Sequence, residues 1–234
     1  MSQDRLVIEQ LKITPQETAD FTEFYHHEYL PEVLKLPELQ CVNRYEEYGT
    51  KSSLAWFDQS YLTIYSVSSK AGSNDLFESM LKRLPDTLKS QMDAFRFRFF
   101  FREMYELIYS HEGNSSNESF ANGPFFIVTV ETEGEESAKF HRWYEEEYLP
   151  KTMADIPTWI DCKRYKSTQR TPIHYHTIYK ARNMDELERG FELLRSPHRY
   201  QSNADWDSWV GKAISKQNAA TFQQIYHRGR VAHL

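Results

Sequence analysis

The chain has 234 residues, of which 40% are hydrophobic and 26% are charged, a composition typical of a folded globular protein. Its formal net charge is −6 and its lysines and arginines cluster at most in pairs, which argues against a nucleic acid or an anionic membrane as partner. No apolar run approaches the length of about 18 residues that marks a membrane span, and the first residues lack a signal-peptide core, so a cytoplasmic location is expected.

The first half of the chain carries the signals of two helices among four strands. β-Branched residues predict a strand over 5–13, and Thr14, Pro15 and Glu17 supply the N-cap, first-turn proline and capping-box glutamate of a helix start. Pro31 should end or kink that helix, because proline lacks an N–H and its ring clashes with the preceding turn. Further strands are predicted over 41–48, over 61–67 and near 97–108, and a second helix over 74–84.

The second half repeats this order of elements. The aromatic face of the first helix, Phe21, Phe24 and Tyr25 at i, i+3 and i+4, recurs as Phe140, Trp143 and Tyr144. Strands are predicted over 125–132, 161–167 and 175–181 and near 221–228, with a second helix over 183–194. The order β-α-β-β-α-β in each half is that of a ferredoxin-like unit.

Four short segments recur in the same order at offsets of 114 to 121 residues. They are Glu28–Pro31 with Glu147–Pro150, Arg44–Tyr45 with Arg164–Tyr165, Tyr61–Tyr65 with Tyr175–Tyr179, and Phe101 and Tyr105 with Phe222 and Tyr226. We therefore predict a tandem duplication, with repeats at 1–109 and 125–234 and a hydrophilic linker at 110–124. Because a ferredoxin-like sheet carries both helices on one face, the two open faces should pack together as an α+β barrel within one chain.

An aromatic-Tyr-x-x-Glu-Tyr-Leu-Pro motif followed by Arg-Tyr resembles the EthD-like branch of the dimeric α+β barrel superfamily, which also contains the stress-responsive A/B barrel proteins, antibiotic-biosynthesis monooxygenases and polyketide cyclases. The resemblance covers both halves and is strongest over 21–45 and 140–165. It implies a barrel of two ferredoxin-like sheets. EthD-like proteins commonly carry histidine where this chain has Tyr29 and Tyr148, so their acid–base histidine does not transfer directly.

Histidines and one tyrosine supply the candidate catalytic residues. His26, His27 and Tyr29 fall at the end of the first helix, where consecutive histidines point about 100° apart, so at most one of them faces a cavity. Alternatively, His26 and His27 belong to a polar helix surface and have no catalytic role. His174 and His176 share one face of a strand and could chelate a metal or combine a base with a proton shuttle; the alternative is a surface or edge-strand placement. No third ligand is evident beside them, so no metal site is predicted.

Aromatic side chains supply one group of candidate substrate-binding residues. Tyr65 and Tyr179 belong to the Tyr-x-Thr-x-Tyr stripes of the two halves, which serve either core packing or the orientation of an aromatic substrate. Trp56 and Tyr148 complete the group. The aromatic share of 15% favours a core or cavity rich in rings.

Two arginines supply the other group. Arg44 and Arg164 could each hold a carboxylate or a phenolate through two parallel hydrogen bonds. An ion pair with a glutamate of the first helix, such as Glu28 or Glu147, is an equally open alternative. Two cysteines without CxxC spacing indicate neither a disulfide framework nor a zinc site.

The fold and the aromatic content favour a cofactor-independent enzyme, a cyclase, decarboxylase or monooxygenase-like protein, acting on an aromatic or polyketide-like substrate in an apolar cavity. The alternative is a non-catalytic barrel that binds a hydrophobic ligand or serves in a stress response. A lesser alternative is a haem-binding barrel with one of the four histidines as axial ligand. The expected partner is a small hydrophobic or aromatic molecule, no cofactor is predicted, and the sequence leaves open whether the pseudo-dimeric chain forms a homodimer.

Overall fold

The computed structural model describes residues 5–49, 60–68, 74–112, 123–132, 134–197 and 205–229. Trp56 and most of the predicted linker lie outside the described residues. The β-strands within them are β1 (Arg5–Ile13), β2 (Leu39–Glu47), β3 (Ser60–Val67), β4 (Phe97–Glu112), β5 (Phe125–Thr132), β6 (Trp159–Ser167), β7 (His174–Ala181) and β8 (Ile214–Gly229).

Helices lie between the strands in both halves. They are α1 (Thr18–Phe24), α2 (Leu30–Val33), α3 (Asn74–Leu81), α4 (Asp86–Ala94), α5 (Glu136–Trp143), α6 (Leu149–Asp155) and α7 (Met184–Leu194), and a π-helical turn (Trp206–Val210) with the short α8 (Gly211–Ala213) precedes β8. The element order of each half is therefore β-α-β-β-α-β with additional helical segments, as the sequence predicted. None of the helices in the described part of the chain combines the length and apolar character needed to cross a membrane.

Hydrogen bonding joins the strands in the closed order β1-β3-β2-β8-β5-β7-β6-β4, a closed barrel. The pairs within each half, β1 with β3 and β4, β2 with β3, β5 with β7 and β8, and β6 with β7, are antiparallel. The predicted α+β fold of two ferredoxin-like sheets forming a barrel is thus confirmed. A bulge recurs at matching points, between Leu39 and Cys41 in one half and between Trp159 and Asp161 in the other.

Contacts divide the described residues into two units. Unit 1 comprises 5–47, 60–68, 74–106 and 224–229, and unit 2 comprises 48–49, 107–112, 123–132, 134–197 and 205–223. In each unit the aromatic face of the first helix packs on the sheet, with Phe21 and Tyr25 fully buried in unit 1 and Phe140 and Tyr144 buried in unit 2. Burial of these rings, rather than helix propensity, holds the short helices in place.

Pro31 does not end the first helix, so of the two predicted outcomes, an end or a kink, the end is excluded. A π-helical turn, Tyr25–Tyr29, precedes it, and the chain continues as α2. The same turn recurs at Tyr144–Tyr148 before Pro150. A wider turn leaves room for the proline ring and needs no N–H from it, so the helix continues.

The predicted capping box at Thr14 also differs from the structure. Pro15–Glu17 form a 3₁₀ turn, and the Thr14 side chain caps no helix N–H. Its hydroxyl oxygen instead lies 2.5 Å from the carbonyl oxygen of Arg96 and 3.0 Å from a carboxylate oxygen of Glu17. Glu17 in turn accepts a hydrogen bond from the Arg96 N–H. These contacts tie the start of the helix to the start of β4.

Candidate functional site

Unit 2 contains a cavity of about 210 Å³ between its sheet and its helices. An engineered cavity of about 150 Å³ holds one benzene ring, so this cavity has room for a flat molecule of about two fused rings. Its lining is mostly aromatic and apolar, with a few polar groups. The lining residues are Phe126, Val128, Tyr144, Tyr148, Thr152, Trp159, Tyr179, Phe191, Leu194, Arg195, Gln217 and Ala219.

Two tyrosines place hydroxyl groups together in the lining of this cavity. The hydroxyl oxygens of Tyr144 and Tyr179 lie 3.2 Å apart, and both side chains are buried. Burial raises the pKa of both phenols, so both remain protonated at neutral pH. Two hydroxyls carry two protons and four lone pairs, and their mutual hydrogen bond and that of Tyr144 with Thr177 use only part of these. The pair therefore keeps capacity to bind a hydroxyl or carbonyl oxygen of a ligand.

Trp159 lines the cavity beside Tyr179, with 4.7 Å between their ring centroids. Its indole lies directly against Gly190 of α7, where an added Cβ atom would come 2.1 Å from the indole Nε1. Only glycine lets the helix approach the indole this closely. The contact between Gly190 and Trp159 could not be predicted from the sequence, because it depends on the packing of α7 on β6.

Arg195 and Gln217 are the longest polar side chains in the lining. Neither was a candidate in the sequence, because Arg195 follows the second helix and Gln217 precedes the repeated segment of the last strand. A guanidinium at the cavity favours an anionic ligand oxygen, such as that of an ionised phenol or enol. In this lining, taken from the described residues, there is neither a carboxylate nor an imidazole.

Strand register identifies the corresponding positions in unit 1. Val7 pairs with Tyr65 as Phe126 pairs with Tyr179, so Glu9 corresponds to Val128. Glu9 pairs in turn with Arg102, and Val128 pairs with Ala219. The small apolar pair that lines the cavity of unit 2 is therefore replaced in unit 1 by a glutamate and an arginine.

Glu9 is the centre of a buried hydrogen-bond network in unit 1. The residue is only 1% exposed, and its carboxylate accepts hydrogen bonds from the Tyr25 hydroxyl at 2.8 Å and from Arg102 Nε at 2.6 Å. The Tyr65 hydroxyl lies 3.0 Å from that of Tyr25. Tyr65, a predicted substrate-binding residue, is thus a member of this core network.

Arg44 and Arg164 each lie in an aromatic cage and are wholly buried. The Arg44 guanidinium carbon is 4.8 Å from the centre of the Tyr25 ring and 4.5 Å from that of Tyr61. In unit 2 the corresponding distances from Arg164 to Tyr144 and Tyr175 are both 4.9 Å. Cation–π contacts of this kind stabilise a desolvated guanidinium.

The side chains that hydrogen-bond the two caged arginines lie on the first helix of each half, as one of the predicted alternatives held. They are not, however, the glutamates named in that prediction. Arg164 donates to Glu145 at 2.5 Å and to Nδ1 of His141 at 2.7 Å, and not to Glu147. Arg44 donates to Nε2 of His26 at 3.0 Å, and Glu28 is not its partner.

His26 and His27 point in different directions, as helix geometry requires. His26 is buried, contacts Arg44 and stacks on Tyr226 at 4.5 Å between ring centroids. Burial, and secondarily Arg44, lower the pKa of His26 to about 4. His27 instead has a side chain that is 67% exposed and lies 3.6 Å from Glu23.

His174 and His176 are buried, so the surface placement weighed for them was wrong. Nε2 of His174 lies 2.5 Å from a carboxylate oxygen of Glu131, and Nδ1 of His176 lies 2.7 Å from the Thr129 hydroxyl. Both histidines face away from the helix-covered side of the sheet, where Tyr179 lines the cavity. Among the described residues, no group of three or more His, Cys, Asp or Glu side chains could hold a metal ion.

The two tyrosines at the position where EthD-like proteins carry histidine both line cavities. Tyr148 lines the cavity of unit 2, and Tyr29 lines a separate recess in unit 1. His141 and Glu145, which accept hydrogen bonds from Arg164, were not among the candidate residues predicted from the sequence. The repeat could have revealed them, because they occupy the positions of Thr22 and His26.

No protein-family model matches this sequence and no curated protein matches it. Solved structures share its fold. A protein of Fusobacterium nucleatum provisionally called a monooxygenase has a TM-score of 0.63 at 7% identity, over 98% of this chain and 95% of that one. An anthrone oxidase-like protein has a TM-score of 0.63 at 8% identity over the same shares. A provisional monooxygenase of Lactobacillus acidophilus has a TM-score of 0.54 at 11% identity, over 97% of each chain. At such identities the likeness establishes the shared fold and nothing further.

Proposed function

We propose that the chain is a cofactor-independent small-molecule enzyme of the monooxygenase-like kind, with its active site in the cavity of unit 2. The single observation that carries the proposal is the aromatic cavity with the paired hydroxyls of Tyr144 and Tyr179. Two fused rings fill its volume, and the hydroxyl pair orients a ring oxygen. The names of two structural neighbours, a provisional monooxygenase and an anthrone oxidase-like protein, agree with an oxidative reaction.

Oxidation of an activated ring CH₂ to a ketone needs no cofactor. The substrate supplies all four electrons to O₂, one oxygen atom enters the carbonyl, and the other leaves as water with the two hydrogens. The reaction requires an electron-rich enolate or phenolate. The cation of Arg195 stabilises that anion, and the protonated phenols of Tyr144 and Tyr179 hydrogen-bond its oxygen. The aromatic wall excludes water from the reacting carbon.

The competing function is binding without chemistry. The cavity lining in the described part of the chain has no carboxylate or histidine that could act as general base, and this favours a binding barrel over an enzyme that must abstract a proton itself. A substrate acidic enough to ionise beside Arg195 avoids this difficulty. Haem is not supported by this site, because the cavity has room for about two fused rings and none of the four candidate histidines lines it.

We also infer that the chain arose by tandem duplication of an EthD-like unit. Support comes from the paired π-helical turns, the paired bulges and the caged arginines at matching positions. The division into repeats at 1–109 and 125–234 remains part of this proposal, as does a cytoplasmic location.

Oxygen uptake with bicyclic phenols and with bicyclic ring ketones that enolise at a ring CH₂ distinguishes the two functions. The enzyme proposal predicts O₂ consumption equal to the substrate consumed, which falls at least tenfold in a Tyr144→Phe/Tyr179→Phe variant. Tight binding of the same compounds without O₂ uptake would support the binding barrel instead. Failure of every compound to bind would reject the cavity as the site.

A further inference from the structure

Unit 1 contains a second, larger recess of about 510 Å³. It is bordered by the π-helical turn, by α3 and α4, and by the start of β4. Its walls are largely apolar, and its lining also contains Arg102 and four other charged side chains. The lining residues are Tyr29, Glu78, Leu81, Lys82, Leu84, Lys89, Met92, Asp93, Phe97, Phe99 and Arg102. This volume lies in the range of ordinary small-molecule sites.

Arg102 has hydrogen-bonding capacity left over in this recess. Its Nε and Nη2 contact one carboxylate oxygen of Glu9, and its Nη1 donates to Glu78 at 2.9 Å. A guanidinium has five N–H donors, so these contacts leave one N–H on each terminal nitrogen without a partner among the described residues. Two such N–H groups on adjacent terminal nitrogens are the fork that binds a carboxylate.

Tyr29 contributes a second unused group. The residue is 6% exposed and its ring stacks on Tyr25 at 5.1 Å, yet its hydroxyl has no hydrogen-bond partner within the described ranges. Burial raises the pKa of this phenol, so it stays protonated and can donate. A buried hydroxyl that borders a recess and lacks a protein partner is available to a ligand.

We propose that this recess is a ligand site, distinct from the cavity of unit 2, and that it binds an aromatic carboxylate. The ligand's carboxylate accepts hydrogen bonds from the Arg102 fork and from the Tyr29 hydroxyl, while its ring lies among Phe97, Phe99 and Met92. Glu78 competes for the same guanidinium from the protein side, and its side chain is 54% exposed and can move away. The two units therefore carry sites of different chemistry, one for a phenol or enol and one for a carboxylate.

Calorimetric titration with 2-naphthoate tests this proposal, with neutral 2-naphthamide as the matched ligand. We expect 2-naphthoate to bind and the amide to bind at least tenfold more weakly. Tyr29→Phe should weaken naphthoate binding about fivefold through the loss of one hydrogen bond. Tyr148→Phe, the corresponding change in unit 2, should leave it unchanged. Glu78→Gln should tighten it at least about twofold, since the competing carboxylate is gone.

Three results would overturn the proposal. These are equal binding of naphthoate and naphthamide, loss of naphthoate binding in Tyr148→Phe but not in Tyr29→Phe, or no naphthoate binding at millimolar concentration. Tyr29→Phe removes a hydroxyl without a partner and Glu78→Gln alters an exposed side chain, so both variants should fold. A thermal melt of each variant verifies that they do.

Discussion

The hydroxyl oxygens of Tyr144 and Tyr179 lie 3.2 Å apart in the lining of the cavity of unit 2. Tyr144 comes from the π-helical turn and Tyr179 from β7, so the pair joins helix and sheet at the site itself. The two phenols in unit 1 that occupy the same positions, Tyr25 and Tyr65, are bonded to the buried Glu9 network instead. The same pair of tyrosines thus faces a ligand space in one unit and a carboxylate in the other.

Tyr179→Phe should weaken the binding of 1-naphthol about fivefold, because one hydroxyl of the pair is lost. Naphthalene, which has no oxygen, should bind the variant and the wild type equally. Titration of both ligands separates the hydrogen bond from ring packing. Tyr65→Phe is the matched control and should leave both affinities unchanged. An equal loss for naphthalene would contradict the role given to the hydroxyl.

Gly190→Ala should destabilise the protein by about 1–3 kcal/mol, because the new methyl group collides with the Trp159 indole. Urea unfolding measures the change, and displacement of the indole should also weaken ligand binding in the cavity that Trp159 lines. Gly49→Ala is the control, since an added Cβ there meets nothing within 4 Å. An unchanged unfolding midpoint in Gly190→Ala would show that α7 does not press on the indole.

Arg102→Ala should be strongly destabilising alone, by about 3–5 kcal/mol, because it leaves the buried Glu9 carboxylate without its cation. Glu9→Val should cost less, because Arg102 keeps Glu78 as a partner. The double variant copies Val128 and Ala219 of the other unit and should cost clearly less than the sum of the singles. A double-mutant cycle from urea unfolding measures this coupling. Strict additivity would mean that the two side chains do not act as a pair.

Stability should fall as the pH drops below about 6.5. Burial lowers the pKa of His26 to about 4 and that of His141 and His176 to about 3. Between about pH 6.5 and these values the unfolded chain binds protons that the folded chain does not. The free energy of unfolding therefore rises with pH in this window, by at most about 1.4 kcal/mol per unit for each histidine.

Urea unfolding at about pH 7.5 and pH 5.5 tests this dependence. His176→Gln should flatten it, because one fully buried neutral imidazole is removed. His27→Gln should leave it unchanged, since the His27 side chain is 67% exposed. A protein equally stable at both values would show that the buried histidines titrate normally.

The sequence predicts the elements and the fold well, because the aromatic face of Phe21, Phe24 and Tyr25 and its repeat have the periodicity of packed helices. It predicts that the helix ends or kinks at Pro31, and the helix continues, because the periodicity does not reveal the π-helical turn before the proline. The last strand was predicted to start near 221, whereas β8 begins at Ile214. The polar residues between these two positions carry no strand signal.

The candidate site is less predictable. Tyr148 and Tyr179, predicted to bind substrate, line the cavity, whereas His174 and His176, predicted to be catalytic, lie on the other face of the strand. Arg195 and Gln217 reach the cavity only through the packing of α7 and β8. Burial of Arg44 and Arg164 in aromatic cages likewise depends on long-range contacts that no local pattern encodes.

The central claim, that the cavity of unit 2 holds an aromatic ligand, is tested most directly by filling it. Ala219 lies in its lining, and Ala219→Phe places a ring in the space of about 210 Å³. Calorimetric titration of this variant with 1-naphthol, after a thermal melt has established that it folds, should show binding reduced at least tenfold from that of the wild type. Undiminished binding of 1-naphthol by the folded variant would contradict the account.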